Sequence, residues 1–298
     1  MNNSAPIQIM AEKTNYKWLK LALKITVSVV CIWYISTKIN LAEILRIWTT
    51  SNVWFIILAI ASFTFSKLLA SYRLNIFFKN IGIEISEWVN VKLYWLGMFY
   101  NLFLPGSIGG DAYKVIRISK KFDIPYKKTT SAVLLDRFSG LFALLLLTSF
   151  LWFLVFDGKY FSRLIVSGAI LVIPVSYFGV KCFFPYFTKC FFKTYFWGVL
   201  VQLFQLVTML CLLKALHISD NYFEYLLLFM ISSVVAVLPF TIGGLGGREM
   251  VFLWGAQLLH LNMPVAVAAS VLFYFSTVIS SSFGIPFVFV DPLDKNKI

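Results

Sequence analysis

Charged residues are scarce in this chain, and acidic residues are the scarcest. Only 13% of its 298 residues are charged, with 13 Asp and Glu against 26 Lys and Arg, whereas 60% are hydrophobic. The mean hydropathy is +0.83. So few charged side chains could not build the water-facing surface of a soluble protein of this length. The composition therefore excludes a soluble globular protein and predicts an integral membrane protein.

Histidine and cysteine are also rare, which removes the usual ligands of a metal site. The two histidines, His217 and His260, are isolated in sequence, and the four cysteines lie in or beside apolar runs without metal-ligand spacing. Cysteines in such positions are typical packing residues. The net charge of +13 reports membrane orientation before any nucleic-acid binding. We therefore predict no metal, no cofactor and no nucleic-acid partner.

Eight long apolar segments make up most of the chain. They cover residues 20–37, 53–72, 88–118, 129–156, 161–181, 194–213, 222–260 and 264–290. A helix needs about 20 apolar residues to span a bilayer. Transmembrane strands would alternate polar and apolar residues, which these segments do not. The sequence therefore predicts an all-α polytopic membrane protein.

Two of these segments are interrupted by proline and glycine at corresponding positions. Residues 104–111 read LPGSIGGD and residues 238–245 read LPFTIGGL, so that five positions coincide at an offset of 134 residues. Such breaks in the two halves of a transporter are the best sequence indication of its substrate site. Close helix packing at small residues is the alternative explanation, but two matched copies favour a binding site.

The distribution of lysine and arginine predicts that both interrupted segments are re-entrant hairpins. If segments 88–118 and 222–260 each return to the side from which they enter, sixteen basic residues lie in the cytoplasm and five lie outside. Eight plain spans would instead place the basic cluster of residues 114–128 outside, against the positive-inside rule. We therefore predict six full spans and two hairpins in the cell membrane, with both termini cytoplasmic.

Three full spans separate the two hairpins, and an odd number of spans inverts the second hairpin relative to the first. The sequence thus predicts a cytoplasmic tail over 1–19, a first inverted repeat over 20–156, a second inverted repeat over 157–290 and a second cytoplasmic tail over 291–298. Inverted repeats of this kind support alternating access.

The candidate substrate-binding residues surround the two breaks. They are Asn101, Pro105, Gly106, Ser107, Gly109, Gly110, Asp111 and Lys114 at the first break, Asp136 and Arg137 on the next span, and Pro239, Thr241, Gly243, Gly244, Gly246, Arg248 and Glu249 at the second break. After each proline, Ser107 or Thr241 occupies an expected helix N-cap position, and glycines then allow a ligand to approach the amides. Because helix N-termini favour anions, a phosphate group is the expected ligand.

Charged side chains inside a bilayer are costly, at roughly 2.5–3.5 kcal/mol each on the mildest scale, so those near the breaks need a partner or a function. Asp111 is followed by Lys114 and Arg117 one and two turns later. Arg137 could bind the ligand or extend towards the cytoplasmic interface.

Further polar residues have two interpretations each. Arg248 and Glu249 could line a polar cavity or join the two hairpins through salt bridges. Asn101 is expected to bond backbone carbonyl groups that the proline break leaves free. Gln202 and Gln205 could line the same cavity or form hydrogen bonds between helices.

The ordered motifs resemble those of the lysylphosphatidylglycerol synthase transmembrane region, also called the flippase-like domain family. The motifs are Asn101-x-x-x-Pro105-Gly106-Ser107-x-Gly109-Gly110-Asp111, Asp136-Arg137-x-x-Gly140 and Pro239-x-x-x-Gly243-Gly244-x-Gly246-x-Arg248-Glu249. The similarity extends from about residue 20 to residue 290. The resemblance implies a membrane domain that moves aminoacylated phosphatidylglycerol, polyprenyl-linked lipids or other phospholipids between leaflets.

In full-length synthases of this family, a separate cytoplasmic domain carries out aminoacyl transfer. Because the chain ends at Ile298, we expect the membrane domain alone, without the enzymatic activity. We therefore predict a lipid flippase or transporter for an anionic or phosphate-bearing lipid, which can be aminoacylated or polyprenyl-linked. Its expected partners are the membrane lipid and a separate lipid-modifying enzyme.

Two alternative functions remain open, both in the synthesis of lipids or cell-envelope glycoconjugates. The first is a membrane-embedded transferase, which would need a general base and a metal-binding carboxylate pair such as Asp-x-Asp. The sequence has no such motif, since Asp291 and Asp294 are separated by two residues in the tail. The second is an accessory subunit of a partner enzyme.

Overall fold

The structure of the chain is a computed structural model. It describes residues 26, 29, 33–35, 37, 38, 41–103, 109–156, 160–237 and 246–293. The helices are, in chain order, α1 (Leu41–Thr49), α2 (Val53–Asn80), α3 (Glu87–Phe103), α4 (Gly109–Phe122), α5 (Tyr126–Val155), α6 (Tyr160–Phe183), a 3₁₀ helix (Pro185–Cys190), α7 (Phe191–Ala215), α8 (Tyr222–Val237), α9 (Gly247–Leu258), α10 (Met263–Ser282) and α11 (Pro286–Phe289). These residues contain no strand, which confirms the all-α prediction for this part of the chain.

Five stretches of the described chain are long and apolar enough to cross a membrane. They are Val53–Asn80, Tyr126–Val155, Arg163–Phe183, Pro185–Ala215 and Met263–Phe289. Each contains most of one predicted span, and the prediction of a polytopic helical membrane protein is confirmed at this level. The predicted first span, 20–37, lies largely outside the described residues.

The two interrupted segments form two pairs of short helices. Helices α3 and α4 pack against each other, as do α8 and α9. They contain 17, 14, 16 and 12 residues. At about 1.5 Å per residue, each is shorter than the roughly 30 Å hydrocarbon core of a bilayer. The breaks themselves, residues 104–108 and 238–245, lie outside the described residues.

Helices α2, α5 and α7 form the centre of the bundle, where each packs against the other two. Two apolar clusters occupy opposite ends of these helices. The first cluster includes Ala59 and Phe63 of α2, Leu144 and Leu151 of α5, and Met209 and Leu212 of α7. The second includes Leu74 and Phe77 of α2, Ala132 and Leu135 of α5, and Phe191 and Tyr195 of α7. Between the two clusters, these helices carry polar and charged side chains that we call the polar seam. They are Ser66, Lys67 and Arg73 of α2, Asp136 and Arg137 of α5, and Gln202 and Gln205 of α7.

The segment after α11 packs against the end of α4. The Asp291 carboxylate forms an ion pair with Arg117, and the Leu293 carbonyl accepts a hydrogen bond from Lys121. Leu293 is also buried in the second apolar cluster. Arg117, two turns after Asp111, therefore pairs with the tail. This contact fixes the carboxyl end of α4 and leaves Asp111 to other partners.

Candidate functional site

An ion pair between α2 and α5 lies at one end of the polar seam. The Nε of Arg73 is 2.7 Å from Oδ1 of Asp136, and neither side chain is more than 10% exposed. A pair this well buried needs close geometry, because both charges have lost their hydration. Asp136 was predicted to bind the substrate, whereas the structure shows its carboxylate bound to Arg73.

Two glycines make room for the guanidinium of Arg73. A Cβ atom added to Gly140 would lie 3.1 Å from Nη1 of Arg73, and one added to Gly198 would lie 3.3 Å from the same nitrogen. The glycine of the Asp-Arg-x-x-Gly motif therefore lies beside the ion pair that the aspartate of the same motif forms. Sequence reasoning missed Arg73, because the predicted span ended at residue 72 and placed it among the cytoplasmic charges.

A second charged group joins α4 to α5. Asp111 accepts hydrogen bonds from Lys114, at 3.1 Å, and from Nε of Arg137. Asp111 and Lys114 are buried, and the Lys114 ammonium lies 4.5 Å from the centre of the Tyr94 ring. The group carries two positive charges and one negative charge. Arg137 is bound to Asp111 while its side chain remains 41% exposed, so ligand binding and extension to the interface both stay predictions.

The start of α4 lies very close to α3. The Gly110 amide donates a hydrogen bond of 2.9 Å to Oδ1 of Asn101, and a Cβ atom on Gly110 would lie only 1.9 Å from the Gly97 carbonyl oxygen. The Asn101 oxygen thus accepts from an amide across the break, whereas bonding of free carbonyl groups by its NH₂ group stays a prediction. Gly110 serves close helix packing, and its amide is already bonded to Asn101.

Glu249 holds the first turn of α9. Its Oε2 accepts a 2.7 Å hydrogen bond from the amide of Gly246, which has a φ of 87° that favours glycine. Its Oε1 accepts a 3.0 Å bond from the Ser270 hydroxyl of α10. Over the described residues no ion pair joins the two helix pairs, so the expected salt bridges between them through Arg248 and Glu249 are absent there.

Replacing Glu249 with glutamine should destabilise the start of α9. In glutamine an NH₂ group replaces one of the two oxygens and cannot accept the bond made there, and the side chain lacks the charge that strengthens both bonds. We expect a loss of about 1–3 kcal/mol in the free energy of unfolding in detergent. Glu43→Gln on the exposed face of α1 is the control and should change the unfolding free energy by less than about 0.5 kcal/mol. Equal effects at the two positions would contradict this role.

A central cavity of about 290 Å³ opens between the two helix pairs. Three cationic residues, Lys67, Arg137 and Arg248, line it, and no carboxylate does so among the described residues. Asn101, which lies just before the first break, and Val237, which lies just before the second, also line it. The carboxyl ends of α3 and α8 therefore border one cationic cavity, which suits an anionic ligand.

Lys67 and Arg248 rest on aromatic rings in this cavity. The Lys67 ammonium lies 4.4 Å from the centre of the Phe63 ring, and the Arg248 guanidinium carbon lies 4.9 Å from that of Phe273. Arg248 also approaches the Ser233 hydroxyl, at 3.4 Å. Neither cation forms an ion pair within the described residues. Ring contacts of this kind orient a cation without neutralising its charge.

Lys67 is the main residue that sequence reasoning missed. It lies near the middle of α2, fourteen residues after Val53 and thirteen before Asn80. A lysine so far from either end of an apolar helix is costly in a membrane, and that position was the signal that could have identified it.

A smaller cavity of about 180 Å³ adjoins the central cavity and shares Tyr94, Met98, Asn101 and Arg137 with it. Both ion-paired groups, the one between Arg73 and Asp136 and the one around Asp111, border this smaller cavity. Two charged residues each from α2, α4 and α5 therefore surround one continuous polar region, namely Lys67, Arg73, Asp111, Lys114, Asp136 and Arg137.

The predicted site residues divide into four groups. Asn101, Arg137 and Arg248 line the central cavity, whereas Asp111, Lys114 and Asp136 line the adjoining cavity and not the central one. Gly109, Gly110, Gly246 and Glu249 lie at the starts of α4 and α9. Pro105, Gly106, Ser107, Pro239, Thr241, Gly243 and Gly244 lie outside the described residues.

The two glutamines of α7 differ. Gln205 lines the central cavity, whereas Gln202 donates a hydrogen bond of 3.2 Å to the Gly140 carbonyl of α5. Each of the two interpretations given from the sequence therefore holds for one glutamine, the cavity lining for Gln205 and the interhelical hydrogen bond for Gln202.

Comparison with known proteins places this site within a described family. Residues 21–193 and 186–283 match the family model described as the lysylphosphatidylglycerol synthase TM region. The chain is also 27% identical over 162 residues to a UPF0104 membrane protein of Pyrococcus horikoshii. That match covers 53% of this chain and 47% of the relative, so the chain spans about half the length of the curated relative that it matches.

The family match includes every described residue that lines the central cavity. It confirms the resemblance that the ordered motifs predicted. The chain belongs to the lysylphosphatidylglycerol synthase TM region family.

Proposed function

We propose that the protein is a lipid transporter of the cell membrane that moves an anionic or phosphate-bearing lipid between leaflets. Aminoacylated and polyprenyl-linked lipids are the proposed substrate classes, and a separate lipid-modifying enzyme is the proposed partner. The observation that carries the proposal is the central cavity, which the ends of α3 and α8 border and which three cations, but no carboxylate of the described residues, line.

A phosphate group would stabilise this cavity. Uncompensated cations at membrane depth are costly, so Lys67 and Arg248 need an anionic partner or water in the cavity. Phosphate oxygens accept charge-assisted hydrogen bonds from both lysine and arginine. A lipid phosphate would therefore supply the negative charge that the described lining lacks.

The proposed architecture is six full spans with two re-entrant hairpins, formed by α3 with α4 and α8 with α9. The four short helices and the three long helices between the pairs support this arrangement. Two hairpins separated by three spans would enter from opposite sides, as in transporters built from inverted repeats. The termini would then both be cytoplasmic.

The contacts of the two hairpins support alternating access. The first pair is tied to α5 through Asp111 and Arg137, and the second is tied to α10 through Glu249 and Ser270. Movement of one pair against the other would therefore break none of the ion pairs between described residues. Such a motion would expose the central cavity to each leaflet in turn.

Neutralising the cavity cations should remove lipid binding. We expect Lys67→Gln and Arg248→Gln each to reduce the phosphatidylglycerol retained by the purified protein by about 10- to 100-fold, because each loses a hydrogen bond to a charged group worth about 1.5–3 kcal/mol. Native mass spectrometry would measure retention, and fluorescent-lipid quenching in liposomes would measure transport.

The matched control is Lys214→Gln, which removes an exposed lysine at the end of α7, outside the cavity. It should retain and transport the lipid as the wild type does. Wild-type retention by the double variant of Lys67 and Arg248, with unchanged transport, would overturn the proposal.

A further inference from the structure

An apolar groove runs between α4 and α5 on the outside of the bundle. Its volume is about 390 Å³, which lies within the usual range of ligand sites. Ala112, Val115 and Ile116 of α4 face Val133 and Leu134 of α5 across it. Ile116 and Leu134 are 45% and 43% exposed, so the groove is open towards the surroundings of the protein. We call it the α4–α5 groove.

Arg137 connects this groove with the polar region. It lines the α4–α5 groove, the central cavity and the smaller adjoining cavity. Its ion-pair partner Asp111 lines both the groove and the smaller cavity. A molecule that extends from the central cavity past Arg137 would therefore pass from cationic to apolar surroundings.

We infer that the α4–α5 groove holds a hydrocarbon chain of the transported lipid while its phosphate lies in the central cavity. This inference rests on the proposed function. An amphiphile with an anionic head and an apolar chain matches both the charge of the cavity and the lining of the groove. No soluble phosphate compound would need the apolar half of this arrangement.

The groove determines where the hydrocarbon chain lies and adds little to the affinity of the protein for the lipid. Bilayer lipid is as apolar as the groove, so moving a chain from one to the other gains little hydrophobic free energy. The groove instead keeps the chain in the membrane and next to α5 while the headgroup occupies the polar region. A chain in the groove should therefore belong to the lipid whose headgroup is bound.

Photo-crosslinking tests this prediction directly. A photoreactive phenylalanine analogue is placed at Ile116 or Leu134 in the groove, and at Leu171 on the exposed side of α6 as the control. The protein is embedded in nanodiscs of phosphatidylcholine with a small fraction of phosphatidylglycerol, and crosslinked lipids are identified by mass spectrometry. The groove positions should capture phosphatidylglycerol severalfold above its share, whereas Leu171 should capture both lipids in proportion.

The double variant of Lys67 and Arg248 to glutamine separates the groove from the cavity, because neither residue lines the groove. In that variant the enrichment at Ile116 and Leu134 should disappear. If the wild type captured the two lipids in proportion to their abundance, the inference that the groove holds the lipid chain would be overturned. The proposed function would still stand if retention of phosphatidylglycerol depended on Lys67 and Arg248. If phosphatidylglycerol stayed enriched at the groove in the double variant, the inference that groove and cavity bind one lipid molecule would be overturned. The groove would then select the lipid without the cavity.

Discussion

Replacement of Asp136 by alanine is expected to lower the free energy of unfolding by about 3–5 kcal/mol, the usual cost of removing one member of a buried ion pair. The change leaves the guanidinium of Arg73 buried between Gly140 and Gly198 without a carboxylate. Burying an unpaired charge is far more costly than losing the attraction itself. Reversible unfolding in mixed micelles would measure the loss.

The chain offers a matched control for this prediction. Lys79 and Glu87 also form an ion pair with an N–O distance of 2.7 Å, but their side chains are 53% and 44% exposed. Removing either member should cost no more than about 1 kcal/mol, because water replaces the lost partner. The double variant Arg73→Met with Asp136→Leu should recover most of the stability, since no charge then remains buried. Equal losses from the buried and the exposed pair would show that Arg73 is hydrated.

Adding one methyl group at Gly110 is expected to abolish transport while the protein remains in the membrane. The new Cβ atom would lie 1.9 Å from the backbone oxygen of Gly97, and a backbone atom cannot move aside without separating α3 from α4. Overpacking of this kind costs about 1–3 kcal/mol, and more where no side chain can yield. The separation would also break the bond from the Gly110 amide to Asn101, which lines the central cavity.

Alanine substitutions at three glycines should therefore form a graded series. Gly97→Ala would meet Cε of Lys114 at 2.2 Å, a flexible side chain that can move at the expense of its bond to Asp111. Gly179→Ala on α6 would meet nothing within 4 Å and should be neutral or slightly stabilising. Transport in liposomes and unfolding in micelles should both decline in the order Gly179, Gly97, Gly110. Transport by Gly110→Ala at the level of Gly179→Ala would contradict the packing account.

The sequence predicted the long helices and the positions of the breaks because both depend on local composition. Apolar runs of sufficient length become helices wherever they pack, and the proline and glycine motifs coincide with the gaps between α3 and α4 and between α8 and α9. Five of the charged residues near the breaks also line the polar region, as their cost in a membrane suggested: Asp111, Lys114, Asp136, Arg137 and Arg248.

The partners of those charges could not be predicted, because they are set by packing between distant helices. Asp136 bonds with Arg73, 63 positions away in sequence, and Arg117 bonds with Asp291 beyond the last long helix. Glycine is equally ambiguous in a sequence, since both ligand approach and helix contact require a missing side chain. At Gly110 the structure shows helix contact.

Electron cryomicroscopy of the protein in phosphatidylglycerol nanodiscs, with a bound antibody fragment to aid alignment, tests the central claim most directly. We predict phosphate density within hydrogen-bonding distance of Lys67, Arg137 or Arg248, in the cavity bordered by the ends of α3 and α8. Ordered lipid confined to the outer surface, with only water beside these three cations, would contradict the account.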